Sequence, residues 1–177
     1  MSQSPPVPAP PVPGSGRAPA EVEVRPLTAA DLPDLERMEA ELFGPAAWST
    51  QSLADEIVGP GRTYVGAAVG DGRLVGYAGL WFDGYDAQVM TVGTDSAYQG
   101  RGIARRMLTV LLDHARTVGA DAVLLEVRVD NDPAMHLYDT LGFVRLGRRR
   151  AYYQPGDVDA WTMRLDLRAP APATTPG

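Results

Sequence analysis

The run YQGRGIARRML, residues 98–108, puts two glycines and three arginines where an apolar strand gives way to a helical pattern. Backbone N–H groups left unpaired at a helix N-terminus form a cradle for an anion. Gly100 and Gly102 let the main chain approach a phosphate oxygen closely, while the helix dipole and Arg101, Arg105 and Arg106 favour negative charge. The glycines alone are equally compatible with an ordinary strand-to-helix turn. The run lacks the Lys-Ser/Thr pair of a nucleotide P-loop and the full GxGxxG dinucleotide pattern.

Two further residues could carry proton chemistry. Glu126 interrupts the apolar run AVLLEVRV and by alternation shares a sheet face with Leu124 and Arg128, so it reads either as a base or as the partner of an ion pair with Arg128. Tyr138 falls on the helix face marked by Ala134, Leu137 and Leu141, as a core aromatic would, and a buried ring can still present its hydroxyl to a site. His136 lies about 200° around that helix from Tyr138, on the solvent side. His114 sits at the edge of the preceding helix's apolar stripe and reads as a surface residue.

These residues must be held by the surrounding elements. Glu21 to Pro26 alternates acid and valine, as a half-buried strand does, and Thr28 then caps a helix with Leu32, Leu35, Met38 and Leu42 at helical spacing. Gly44 and Pro45 end it, and Trp48-Ser49 opens a second helix running to Ile57. Thr63 to Val69 and Arg73 to Trp81 form a hairpin around Gly70-Asp71-Gly72, followed by a strand over Ala87 to Thr94. The glycine turn leads into a helix from Ile103 to Val118, a strand from Ala122 to Val129, and a helix from Asn131 to Thr140. Phe143 to Tyr153 and Asp159 to Leu167 close the chain as an antiparallel pair. The right-handed crossover rule places the Ala87 and Ala122 strands side by side and parallel, with a ligand crevice at their carboxyl ends.

Composition narrows the function. The Pro-rich residues 1–20 and the Pro/Ala/Thr-rich residues 169–177 are expected to be disordered tails, which leaves residues 21–168 as one domain. A formal net charge of −6 argues against a general nucleic-acid binder. The absence of cysteine excludes disulfides and thiolate chemistry, and two histidines are too few for a His-rich metal site, so no metal is expected. With no apolar run of the roughly 20 residues that span a bilayer and no leader pattern, a soluble cytoplasmic protein is expected.

In this strand-turn-helix context, Gln99-x-x-Gly102-x-Ala104 matches the Q/R-x-x-G-x-G/A motif and resembles the GNAT superfamily of N-acetyltransferases; the element order over Glu21 to Leu167 is similar too. The resemblance implies an α/β (α+β) fold: a mixed sheet of about seven strands with a parallel central pair at the CoA crevice, flanked by about four helices. It implies acetyl-CoA as cosubstrate, with its pyrophosphate on main-chain N–H groups of Gln99, Gly100, Arg101, Gly102, Ile103, Ala104 and Arg105. Val92, Gly93 and Thr94 would line the acetyl group and pantetheine, Gly93 fitting a close approach of ligand and backbone.

Acetyl transfer to an amine needs a neutral amine, donors for the oxyanion, and a proton for the departing thiolate. The stretch LLEVRVDNDPAMHLYDTLGF resembles one branch of that family, the bacterial ribosomal-protein alanine N-acetyltransferases, as do RRRAYY at Arg148 to Tyr153 and Trp48-Ser49. By this resemblance Glu126 is the general base, Tyr138 the general acid toward the CoA sulfur, and Asn131 a CoA-binding residue. The implied acceptor is the N-terminal α-amine of a protein, a ribosomal small-subunit protein beginning in alanine, and the expected state is a monomer or weak dimer. The alternatives are an acetyltransferase acting on a small amine or a lysine side chain, and a CoA-binding module without turnover. A longer GPAAW approach to Trp48, and Gly93-Thr94 in place of a more apolar pair, are departures from the branch that bear on the acceptor.

Overall fold

The first helical segment starts where Thr28 and Asp31 tie off the chain. The Asp31 carboxylate accepts from the Thr28 backbone N–H at 2.8 Å and from its hydroxyl at 3.1 Å, and Arg25 pairs with the same carboxylate at 2.8 Å. The computed structural model describes residues 21–168. The tails expected at residues 1–20 and 169–177 lie outside the described residues.

Among the described residues the strands are β1 (Glu23–Pro26), β2 (Arg62–Ala68), β3 (Leu74–Phe82), β4 (Ala87–Thr94), β5 (Ala122–Arg128), β6 (Val144–Tyr153) and β7 (Val158–Asp166). The α-helices are α1 (Leu32–Phe43), α2 (Thr50–Val58), α3 (Ile103–Thr117) and α4 (Asp132–Thr140), with three short 3-10 turns between elements. Ser49 caps α2, accepting the Ser52 N–H at 3.1 Å. Asn131 caps α4, accepting the Ala134 N–H at 3.2 Å. No helix among the described residues is long and apolar enough to cross a membrane.

All seven strands form one sheet in the order β1-β2-β3-β4-β5-β7-β6, and β4–β5 is its parallel pair. The last strand in sequence, β7, inserts between β5 and β6 and pairs with β5 along its whole length, from Ala122↔Asp166 to Arg128↔Ala160. The helices cover both faces. On one, Ile103, Met107, Leu108 and Leu111 of α3 and Met135 and Tyr138 of α4 share a core with Val123, Leu125 and Val127 of β5. On the other, Leu35 and Met38 of α1 and Leu53 of α2 pack with Tyr64, Tyr77 and Met90.

The central feature is where β4 and β5 part. Their pairing runs only through Ala87↔Val123 and Gln88↔Leu124. Immediately beyond, the register of β3 against β4 slips: Leu80 faces Val89 and Gly79 faces Thr91, so Met90 is an extra residue. Such a bulge bends and twists its strand, which turns β4 away from β5 as the two approach their carboxyl ends. The sheet therefore splits from Val89 and Leu125 onward.

Candidate active site

The split ends at the glycine turn. Gly100 and Gly102 have φ of +73° and +75°, and a Cβ added at either would meet nothing within 4 Å. Their constraint is therefore conformational, the left-handed region that favours glycine, and the space beside the main chain is open. The first hydrogen bond entering α3 runs from the Arg106 N–H to the Gly102 carbonyl at 3.1 Å. The N–H groups of Ile103, Ala104 and Arg105 precede it and have no partner within the helix.

Two buried polar atoms beside this turn have no hydrogen-bond partner, Thr94 Oγ1 and Gln99 Oε1. Gln99 spends its other end on the strand, donating from Nε2 to the Thr94 carbonyl at 2.9 Å. Buried polar groups are nearly always satisfied, so both atoms are available to a polar partner from outside the chain. Val92 and Ile103 are buried at the same end. The arginines divide: Arg101 lies over the Tyr98 ring at 5.0 Å, and Arg105 donates to Thr140 Oγ1 at 2.5 Å, which links the turn to α4.

Gly93 is also held to glycine by packing. A Cβ there would lie 2.7 Å from Tyr77 Cε1 and 3.0 Å from Leu42 Cδ1. The close approach is that of a core ring on the α1 side of the sheet, so packing fixes this residue.

Glu126 sits at the other wall of the split. Leu125 and Val127 face α3 and α4, so alternation turns Glu126 to the opposite face. Its side chain retains 12% exposure. The ion pair with Arg128 considered from sequence does not form: Arg128 reaches Asp130 at 2.8 Å instead. Both Glu126 oxygens are engaged from other strands, Oε2 by Gln88 Nε2 of the neighbouring β4 at 3.0 Å and Oε1 by Arg149 Nη1 of β6, one strand further out, at 3.1 Å. Arg149 also lies over the Tyr152 ring at 4.3 Å, and the Tyr153 hydroxyl donates to the Glu126 carbonyl at 3.1 Å. The RRRAYY segment thus wraps the carboxylate. Arg148 pairs with Asp159 at 2.6 Å.

Tyr138 is 1% exposed and packs edge-on against Phe143 at 5.8 Å between ring centroids. Burial alone pushes its phenol well above the usual range, because desolvation disfavours the phenolate. Asn131 is fully buried, and its side chain caps α4. His136 is exposed, and His114 is half-buried with Nε2 2.9 Å from the Thr63 hydroxyl.

Sequence reasoning missed three side chains. Gln88 was a polar residue inside an apolar strand; Arg149 belonged to a run of like charges that gave no individual partner. Glu39 was the clearest signal: it lies on the apolar stripe of α1, four residues after Leu35. It is 1% exposed, and it accepts a hydrogen bond from the Trp48 N–H at 2.9 Å and another from the Tyr77 hydroxyl.

Comparison with known proteins identifies the family. Residues 30–143 match the model of the Acetyltransferase (GNAT) family. The chain is 46% identical over 155 residues to the N-alpha-acetyltransferase RimI of Mycobacterium tuberculosis (strain ATCC 25618 / H37Rv), covering 85% of this chain and 96% of that one. It superposes on the ribosomal-protein-S18-alanine N-acetyltransferase from Escherichia coli with a TM-score of 0.77 at 26% identity, over 88% of this chain and 99% of that chain. Arabidopsis thaliana NAA60, solved in complex with acetyl-CoA, shares the fold with a TM-score of 0.75 at 19% identity, over 83% and 99%. The chain belongs to the acetyltransferase (GNAT) family and is an N-acetyltransferase.

Proposed function

We propose that this enzyme transfers the acetyl group of acetyl-CoA to the N-terminal α-amine of a protein, with an alanine-started ribosomal small-subunit protein as the acceptor. The observation that carries this reading is a carboxylate, Glu126, held from two strands at one wall of a split sheet that leads to the glycine turn. The relatives act in the same sense: the mycobacterial one is named for α-amine acetylation, the Escherichia coli one for acetylation of the alanine of ribosomal protein S18.

The residues present fit acetyl-CoA. The N–H groups of Ile103, Ala104 and Arg105, which have no partner within α3, suit a diphosphate, and the orphaned Thr94 Oγ1 and Gln99 Oε1 offer further polar contacts. Val92, Gly93 and Thr94 form the end of β4, beyond the point where it leaves β5. The bound cosubstrate supplies a reactive thioester.

The chain's own side chains then have distinct work. Glu126 takes a proton from the incoming amine, directly or through a water, on the α1 face of the sheet. A free α-amine has a pKa of about 8, so the base needs position more than strength. Gln88 and Arg149 supply that position by fixing one carboxylate oxygen each. Tyr138, kept protonated by burial, holds a proton at Oη for the departing thiolate. Asn131 acts from beneath, by setting the start of α4, the helix that carries Tyr138.

The test is acetylation of three peptides by purified enzyme: one starting with a free alanine, the same peptide N-terminally blocked, and a blocked peptide containing lysine. Release of free thiol with the first alone is expected. Equal turnover on the blocked lysine peptide would overturn the α-amine assignment.

A further inference from the structure

Glu39 is a buried carboxylate that the chemistry above leaves unused. Asp31 and Asp95, the other buried acids among the described residues, each pair with arginine, at 2.8 Å and 3.5 Å. Glu39 is engaged by no cation; the Trp48 N–H and the Tyr77 hydroxyl are its partners. Burial pushes its carboxyl above the usual range, and those two hydrogen bonds only partly offset this. Burying a carboxylate without a cation is costly, and an apolar residue would fill the same stripe of α1 at lower cost. The position of its two partners gives a reason for retaining it.

Trp48 ends the loop between α1 and α2, on the same face of the sheet as Glu126. Tyr77 lies on β3 directly opposite Gly93 of β4, and its ring occupies the space that a Cβ of Gly93 would fill. One carboxylate thus joins the loop to β3, whose Tyr77 ring packs against Gly93 of β4, the strand across the split from Glu126. We propose that Glu39 is a positioning residue for the acceptor: it fixes the Gly44–Trp48 loop against Tyr77 and β4, and so sets the width of the amine's entrance. This rests on the acceptor entering from the Glu126 face, as in the function proposed above.

A carboxylate suits this task because it accepts two hydrogen bonds at once from donors on different elements, each strengthened by its charge. A neutral amide in its place can accept from one donor but turns its N–H₂ toward the other. The loop then loses its tie, while the glycine turn, on the far side of β4, keeps its geometry. Glu39→Gln should therefore weaken the acceptor and spare the donor.

The experiment measures acetyl-CoA affinity by calorimetry and KM and kcat for the alanine-started peptide, in wild type, Glu39→Gln, Tyr77→Phe and the double variant. The expected result is a peptide KM raised about tenfold in Glu39→Gln, a smaller rise in Tyr77→Phe, a double variant no worse than Glu39→Gln, and acetyl-CoA affinity unchanged. A purely structural role would lower kcat and the melting temperature together, or weaken acetyl-CoA equally, and would overturn the proposal. If Glu39→Gln does not fold, an unchanged peptide KM in Tyr77→Phe overturns it alone. Wild type that turns over no alanine-started peptide would instead contradict the proposed function, a separate outcome.

Discussion

Glu126 and Tyr138 stand on opposite faces of β5. Tyr138 belongs to the core that Leu125 and Val127 build toward α3 and α4, and Glu126 projects from the other side of the same strand. In the proposed mechanism the amine loses its proton on one side of the sheet and the thiolate gains one on the other, and the two sides meet where β4–β5 pairing ends beyond Gln88↔Leu124.

Removal of the phenol tests the acid. Tyr138→Phe is expected to lower kcat about a hundredfold with acetyl-CoA affinity unchanged, read by steady-state kinetics and calorimetry. Because burial raises the phenol above its ordinary pKa of about 10, the proton stays on throughout the working range. The wild-type kcat profile should therefore show no loss from this group below about pH 10.

The carboxylate's supports can be separated from the carboxylate itself. Glu126→Gln is expected to cost about a hundredfold or more in kcat. Arg149→Ala leaves the carboxylate but frees Oε1, and should cost about tenfold, with Arg149→Lys recovering much of it. Equal rates in Arg149→Ala and wild type would show that Gln88 suffices to hold the base.

Away from the site, the Arg25–Asp31 pair sets a limit on acid stability. The Arg25 guanidinium, with the Thr28 N–H and hydroxyl, holds the Asp31 carboxyl at about 2, below its ordinary value. A depressed carboxyl stabilises the fold above its unfolded pKa of about 3.9 and loses that contribution as pH falls through the folded value. Discounted for the partial exposure of Arg25, Asp31→Asn should cost about 1–2 kcal/mol at pH 7. Denaturant titrations should show the gap narrowing as pH drops from 4 toward 2.

The residues explain why some of this was readable in the sequence and some was not. β4 falls at Ala87–Thr94 and α3 begins at Ile103, as their local patterns predict, because a strand's apolar run and a helix's glycine start are written in adjacent residues. The seven-stranded mixed sheet and the parallel β4–β5 pair also follow from element order and the crossover rule. Pairing between distant segments is different in kind. Alternation offered Glu126 a partner two residues along, but β7 inserts beside β5, and the arginine that reaches the carboxylate comes from β6, 23 residues away. Gly93 shows the same limit: its cause is the Tyr77 ring, which only the register of β3 against β4 brings there.

The most direct measurement of the central claim, that the main chain from Gln99 to Arg105 grips a diphosphate, is calorimetric titration of acetyl-CoA into wild type and Gly102→Val. Gly102 has φ of +75° and open space beside it, so valine strains the turn and blocks the approach of a phosphate without crowding the core. Binding by wild type and a loss of at least about tenfold in the variant are predicted. Undiminished affinity in Gly102→Val, or no uptake by wild type, would contradict the account.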